Sequence, residues 1–399
     1  MKKTNNLTEN LYVDMHIVQT LPPSCVNRDD IGSPKKARYG GVDRARISSQ
    51  CWKHAIRLYW NSKYGDKWGL GYRTGKVVDK ISEKILELDP DFSDARVKAA
   101  KAFKVISKAK KAEITQNTDE EKNKSAEKEK EVLFFISRNQ IEAVAKAVIE
   151  QDNIEREMNE QGKTKEEKDK QEKEYPKKLK ACFAEDNSVD IALFGRMFAV
   201  DPTLNVDAAC QVAHAISTHA VSNEDDYFTA LDDVNVENGV QGAGHINTKE
   251  FNSSTVYRFA TLNVRELIDN YSGCCGDPAS VVTAFVDAFV KSMPTGSINS
   301  YANYSLPGMI YVSVRTDQPI NFSNAFESPV KKSDKGYEES SFKALISKAE
   351  EIYEDYSCEP VKSFLVGRAA QEISPDGFAE NCNYPQMIEK LKTSIQEMI

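Results

Sequence analysis

Between positions 27 and 57 the chain reads NRDDIGSPKKARYGGVDRARISSQCWKHAIR, and this stretch concentrates the residue types that hold phosphate. Eight cationic side chains (Arg28, Lys35, Lys36, Arg38, Arg44, Arg46, Lys53, Arg57) outnumber three acids, Asp29, Asp30 and Asp43, in a chain whose formal net charge is −8. Arg44 and Arg46 lead directly into Ser48 and Ser49, a serine pair that predicts a helix cap, with Gln50 following. From Trp52 the periodicity is helical. Trp52, Ala55, Ile56 and Tyr59 share one face, and Lys53 and Arg57 share another at i, i+4. Arginines placed just before free backbone N–H groups at a helix start make a phosphate site. The stretch reads as a holder of a polyanion.

Other chemistries find less support. His214, His219 and His245 lie near many acids, but no H-E-x-x-H or C-x-x-C pattern accompanies them. On a helix, the i, i+5 spacing of His214 and His219 would point them roughly 140° apart. No metal and no cofactor is expected. A nucleophile elbow and a phosphate-loop motif are also absent, so no catalytic set emerges. Apolar side chains on polar segments, namely Met197, Tyr227 with Phe228, and Ile246, suit stacking on bases or wedging between them. Residues 219–237 hold six acids and no Lys or Arg.

The elements that must position these residues follow from the rest of the chain. At 399 residues it suits two domains, or one with a large insertion. A hydrophobic fraction of 40% with mean hydropathy −0.54 describes a soluble protein. No apolar run reaches the roughly 20 residues of a membrane span, and the lysines near the start precede no apolar core, so a cytoplasmic location is expected. Eight scattered cysteines, including the adjacent Cys274 and Cys275, read as free thiols. A pI near 5.4 argues against indiscriminate nucleic-acid binding while leaving room for one basic groove.

Residues 11–21 read as a central strand, apolar on both faces and ended by Pro22-Pro23. A Gly-rich basic loop and the 49–61 helix follow. Residues 74–186 read as a helical insertion, with helices at 79–88, 95–110 and 131–158 separated by mixed-charge runs at 119–130 and 159–180. Beyond it come a short helix or strand at 207–216, a Gly-rich hairpin at 238–249, a strand at 257–264 and a helix at 277–293. A second central strand at 309–314 and helices at 341–356 and from 384 onward complete the chain.

Several blocks, in order, resemble the CasC backbone-subunit family of the type I-E CRISPR Cascade complex. They include PSCVNRDD at 23–30, Gly40-Gly41, RISSQ at 46–50 with Lys53, VDIALFGRM at 189–197 and AHAISTH at 213–219. DYFTA at 226–230, His245 with 248–251, and NAFE at 324–327 continue the match. The resemblance implies an α+β fold likened to a right hand. A ferredoxin- or RRM-like palm (1–73, 187–218 and 257–399) carries a helical fingers insertion (74–186) and a β-hairpin thumb (219–256). It implies a non-enzymatic subunit that lines up head to tail along CRISPR RNA, each thumb displacing a base, and that presents the guide to target DNA. Partners would be other copies and CasA-, CasB-, CasD- and CasE-type subunits, with no membrane. By position, Arg28, Lys35, Ser48, Gln50, Lys53 and Arg57, with Arg44 and Arg46 as neighbours, would hold the guide backbone. Arg196, Met197, His245 and Ile246 would lie beside the displaced base, and Tyr227, Phe228 and Thr229 near the guide–target duplex. The alternatives are an RNA-processing nuclease and a helical protein-interaction scaffold.

Overall fold

The computed structural model describes residues 10–107, 133–160, 165–198, 201–231, 243–271 and 276–399. The charged run at 119–130, the Cys274-Cys275 pair and the hairpin tip with Asp232, Asp233 and Glu237 lie outside these residues.

Strand β1 (Tyr12–Ser24) opens the fold, followed by the hairpin β2 (Lys36–Tyr39) and β3 (Val42–Ile47) and by helix α1 (Ser49–Tyr64). Strands β4 (Tyr72–Thr74) and β5 (Phe134–Ile136) form a separate small sheet beside helices α2 (Val77–Leu88), α3 (Ala95–Ser107), α4 (Arg138–Glu160) and α5 (Lys165–Ala184). The chain returns through α6 (Val189–Phe194), β6 (Cys210–Val212) and β7 (Ala215–Ser217) to the hairpin of β8 (Glu224–Leu231) and β9 (Ala243–Asn263). Then come α7 (Val264–Asn270), α8 (Pro278–Lys291), α9 (Ile298–Tyr301), β10 (Met309–Arg315), α10 (Glu338–Tyr356), β11 (Lys362–Val366), α11 (Arg368–Ile373), β12 (Glu380–Asn381) and α12 (Tyr384–Met398).

The main sheet runs β12-β11-β10-β1-β9-β7-β3-β2, antiparallel except where β11 meets β12. β1 is central, with β10 on one edge and β9 on the other. Its two apolar faces have separate partners. Val13, Met15 and Ile17 face the helices α1, α8 and α12, packing into one core with Trp60, Phe285, Phe289 and Leu391. Val18 joins Tyr257, Phe259 and Tyr311 in a second core closed by Phe322, Phe326 and α10. Burial on both sides leaves Asp14 and His16 as fully covered as their neighbours Val13 and Met15. The helices α2–α5 bury their own cluster around Ile81, Phe103, Val144 and Phe183.

The fold is α+β, as the sequence indicates, with local differences. β1 runs on through Pro22 and Pro23 to Ser24, because a register shift against β9 there removes the need for their N–H groups. Residues 134–136 pair with β4 as strand, so the helix read at 131–158 begins only at Arg138. Residues 207–216 resolve into two short strands. Among the described residues no helix is long and apolar enough to cross a membrane.

β1 also buries charge. Asp14, fully covered, accepts the Ile320 N–H through Oδ2 at 2.8 Å, and burial pushes its carboxyl up to about 6. The folded state therefore favours the protonated form. That preference contributes stability below about pH 4 and is lost as the pH rises through about 6. Asp14→Asn keeps an acceptor for Ile320 without the charge. It should stabilise the fold by about 1–3 kcal/mol at pH 7 and flatten the pH 4–7 stability profile. Urea denaturation across this range checks it, and parallel profiles for the two proteins would refute it.

Candidate nucleic-acid interface

The site starts at the end of β1. Asn27 fastens the loop behind it. Its Oδ1 accepts the Ser48 N–H at 2.9 Å, and its backbone carbonyl accepts the Lys35 N–H at 2.9 Å. Asp29 closes the lobe between them, its Oδ1 accepting the N–H groups of Ile31 and Ser33. The lobe's tip, Ile31, is 83% exposed. The Lys35 carbonyl in turn accepts the Arg46 N–H at 2.9 Å, which sets Lys35 and Arg46 side by side at the start of α1.

Ser48 is the N-cap, its Oγ accepting the Cys51 N–H at 3.3 Å, and the first turn of α1 holds no acidic residue. The positive end of the helix is left without a carboxylate from its own turn. Pairing of β3 with β7 brings His214 to the same place, where its Nδ1 accepts the Ser49 N–H at 3.3 Å. Burial, then the charges of Arg46 and Lys35, lowers the His214 pKa, so the ring is neutral and an acceptor at neutral pH. Gln50 is exposed beside it. Lys53, one turn on, is half-buried with its Nζ 5.5 Å above the Phe194 ring.

Two depressions flank this helix start. A cleft of about 600 Å³ is lined by Arg28, Asp29, Asp30, His54, Leu58 and residues 294–296. A smaller furrow runs past Lys35, Arg46, Asn252 and Ser254 to the root of the β8–β9 hairpin. Among the described residues, Arg28, Lys35, Lys36, Arg38, Arg46 and Lys53 form no ion pair, although Lys and Arg elsewhere commonly do. Four of these cations, Arg28, Lys35, Arg46 and Lys53, lie about an acid-free helix start, while Lys36 and Arg38 stand with Ala45 and Asp43 on the other pleat face of the β2–β3 hairpin.

The hairpin carries the second group. Tyr227 is 65% exposed, Thr229 is exposed, and Phe228 is half-buried with the Lys249 Nζ 5.5 Å above its ring. His245 and Ile246 pair with Ala230 and Thr229 in the backbone register, while their side chains lie outside the described residues. Met197, just past α6, is 85% exposed. No group of three or more His, Cys, Asp or Glu among the described residues is placed to hold a metal ion.

The family model of the CT1975-like proteins matches residues 13–393. The chain belongs to the CT1975-like family. It is similar to a chain solved as part of a "CRISPR RNA-guided surveillance complex, pre-nicking", with 30% identity, 96% of this chain and 99% of that one covered, and a TM-score of 0.78. A chain of a "CRISPR RNA-guided surveillance complex" matches at 26% identity with the same coverage and a TM-score of 0.68. No curated protein matches. The mixed sheet with its helical layers is thus the RRM-palm type of fold found in surveillance-complex subunits.

In this CT1975-like chain the structure gives three of the assigned arginines partners within the protein. Arg44 is fully buried and donates to the carbonyls of Tyr39, Ser217, Phe326 and Glu327, so it ties β3 to the 322–326 turn and does not face a ligand. Arg196 is likewise interior. It donates to the carbonyls of Leu204 and Phe183 and to Gln140, its charge resting 4.8 Å over the Phe183 ring, and burial lowers its pKa to about 10. Arg57 is taken up by Asp190, at 2.9 Å, and by the Gly71 carbonyl. Ser48 accepts at the cap through its Oγ, which leaves the hydroxyl proton free to donate. Two residues of the site were not legible as such: Asn27, whose role is a loop-to-cap bond, and His214, which spacing presented only as a metal candidate.

These placements separate folding from binding. Arg44→Met should cost about 2–4 kcal/mol, because four carbonyl bonds are lost in the interior. Lys53→Ala should shift stability by less than about 1 kcal/mol. Thermal unfolding of the two variants checks the contrast, and equal losses would refute it.

Proposed function

We propose that this chain is a non-catalytic, CRISPR RNA-binding backbone subunit of a surveillance complex of the type I-E Cascade kind. The observation that carries the reading is the set of four cations without ion pairs, Arg28, Lys35, Arg46 and Lys53, about the acid-free start of α1. An anionic strand laid along Lys35, Arg46 and Lys53 meets point charges, backbone N–H groups and the helix dipole together. The contacts are made to phosphates and are independent of sequence, as a subunit that leaves base pairing to read the target requires. The titles of both similar structures support the same partner.

Within this reading Arg28, Lys35, Arg46, Gln50 and Lys53 hold the guide backbone. Met197 and the hairpin residues Ile246 and His245 stand beside a displaced base. Exposed Tyr227 and Thr229, with Phe228, approach the guide–target duplex. Copies assemble head to tail along the RNA and contact the other subunits of the complex, and the purified chain leaves the RNA uncut.

Lys35→Ala combined with Arg46→Ala tests the assignment, since neither side chain holds the fold through an ion pair. Affinity for a single-stranded RNA should fall on the order of tenfold at about 0.1 M salt, and the slope of log K against log salt should become shallower by about 1.4. Filter binding across a salt series reads both quantities. Unchanged affinity and slope would exclude these residues, and cleavage of the RNA by the wild-type chain would exclude the non-catalytic reading.

A further inference from the structure

The 23 residues from Ser292 to Val314 contain no charged side chain, in a chain that is 29% charged. Three of them form part of one wall of the larger cleft beside α1. Residues 294–296 line it opposite Arg28, and any Cβ on Gly296 would collide with the Val26 carbonyl of the loop. The short α9 that follows is held between two left-handed residues, Ser297 (φ 51) and Ala302 (φ 46), which are two of only five non-glycine positive-φ residues among those described. Such conformations cost energy at each position and persist only where the surroundings impose them.

Past Ala302 the chain makes a tight turn, the Tyr304 N–H donating to the Ala302 carbonyl at 2.9 Å, and burial then alternates. Asn303 and Ser305 point inward, and Tyr304 and Leu306 point out at 69% and 73% exposure. Ser305 pins this edge to β1: its Oγ donates to the Thr20 carbonyl and its own carbonyl accepts from Gln19. Asn303 is fully buried, and neither its Oδ1 nor its Nδ2 has a partner. The Tyr301 hydroxyl is also unpartnered, its ring 6.0 Å from Phe251 at the root of the β8–β9 hairpin. A buried amide without hydrogen bonds is costly, and one next to an exposed aromatic calls for an explanation.

We propose that residues 301–306 form a nucleobase-stacking wall, with Tyr304 the ring on which a base of the bound strand rests. This rests on the RNA-binding reading above and assigns that site a wall which touches bases, whereas Lys35 and Arg46 touch phosphates. The chemistry fits a base better than a phosphate. A neutral aromatic surface with an apolar neighbour accepts the π-face of any base, and nothing in the segment attracts an anion. Rigid pinning through Ser305 holds the ring in place, so stacking requires little further ordering of the loop.

The test compares two probes, a single-stranded oligoribonucleotide and an abasic oligonucleotide of the same length and charge. Tyr304 is exposed, so Tyr304→Ala should leave the unfolding transition where it is. Affinity for the oligoribonucleotide should fall about tenfold, affinity for the abasic strand should not change, and Tyr304→Phe should restore wild-type binding. In Tyr304→Trp the new fluorescence should be quenched by the ribonucleotide alone, against a background of three native tryptophans, all buried. Equal losses on both probes, or no loss on either, would overturn the stacking wall while leaving the RNA reading in place. Normal RNA binding with lost self-association would overturn it too, and would make the wall a contact between copies. A wild-type chain that binds neither probe would overturn the RNA reading and this one with it.

Discussion

Almost everything at the candidate interface hangs on the register of one strand. β9 is 21 residues long and has two occupations. Its second half pairs with β1 from Asn252 to Asn263 inside the sheet, and its first half pairs with β8 from Ala243 to Phe251 outside it. Because the ladder is continuous, the hairpin is a rigid extension of the palm. A slip of one residue would turn every side chain on both halves to the opposite face. It would drive Tyr257 and Leu262 each into the core built for the other and shift the β8–β9 pairing at the same time. The other edge of β9 carries β7, which holds β3 and with it the start of α1. Phosphate-holding residues and hairpin residues therefore share one mechanical reference.

A second constraint is the division of arginines. Arg44, Arg196 and Arg258 are buried, and none has a carboxylate partner; each is neutralised by carbonyls, an amide or aromatic faces. Arg258 lies 3.6 Å from the Trp52 ring and 4.6 Å from Phe289, and burial lowers its pKa to about 9. Burying a charge in this way costs far more than exposing it, and the several N–H groups of guanidinium are what make it tolerable. These side chains act as cross-braces between β3, the 322–326 turn, β9 and α8. A lysine at any of them would reach one carbonyl and strand the others.

This division explains what was and was not legible in the sequence. Position 44 and position 46 look equivalent on paper, two arginines on one strand before a helix. Pleat alternation alone does not decide which faces in, because β3 meets partners from residues 215–217 and 326–327 that only the tertiary fold supplies. The resemblance could not separate a guanidinium that reaches solvent from one that reaches a carbonyl. The helix start, by contrast, was readable because its signals are local: a serine cap, apolar spacing and no nearby acid. β1 was readable for the same reason, from apolar residues on both of its faces. What escaped was the Asn27 bond to the cap and the pairing that carries His214 to the helix start, both set by contacts between distant segments.

Net charge then takes on a different meaning. An acidic chain holding a polyanion seems contradictory only if charge is averaged over the molecule. In the helices α2–α5 the lysines and arginines pair mostly with neighbouring acids, as in Lys80–Glu83, Lys84–Glu87, Lys146–Glu142 and Arg156–Asp152. Such surface pairs contribute little stability, and they cancel one another's field beyond about a Debye length. Arg28, Lys35, Arg46 and Lys53 near α1 form no such pairs, so their field is the one that reaches outward. On the hairpin, Glu224, Asp225 and Asp226 are exposed on β8 and repel the same anion. A strand attracted at the helix start and repelled along that edge is confined between them. Residues 301–306 carry no charge of either sign, so they add nothing to this field.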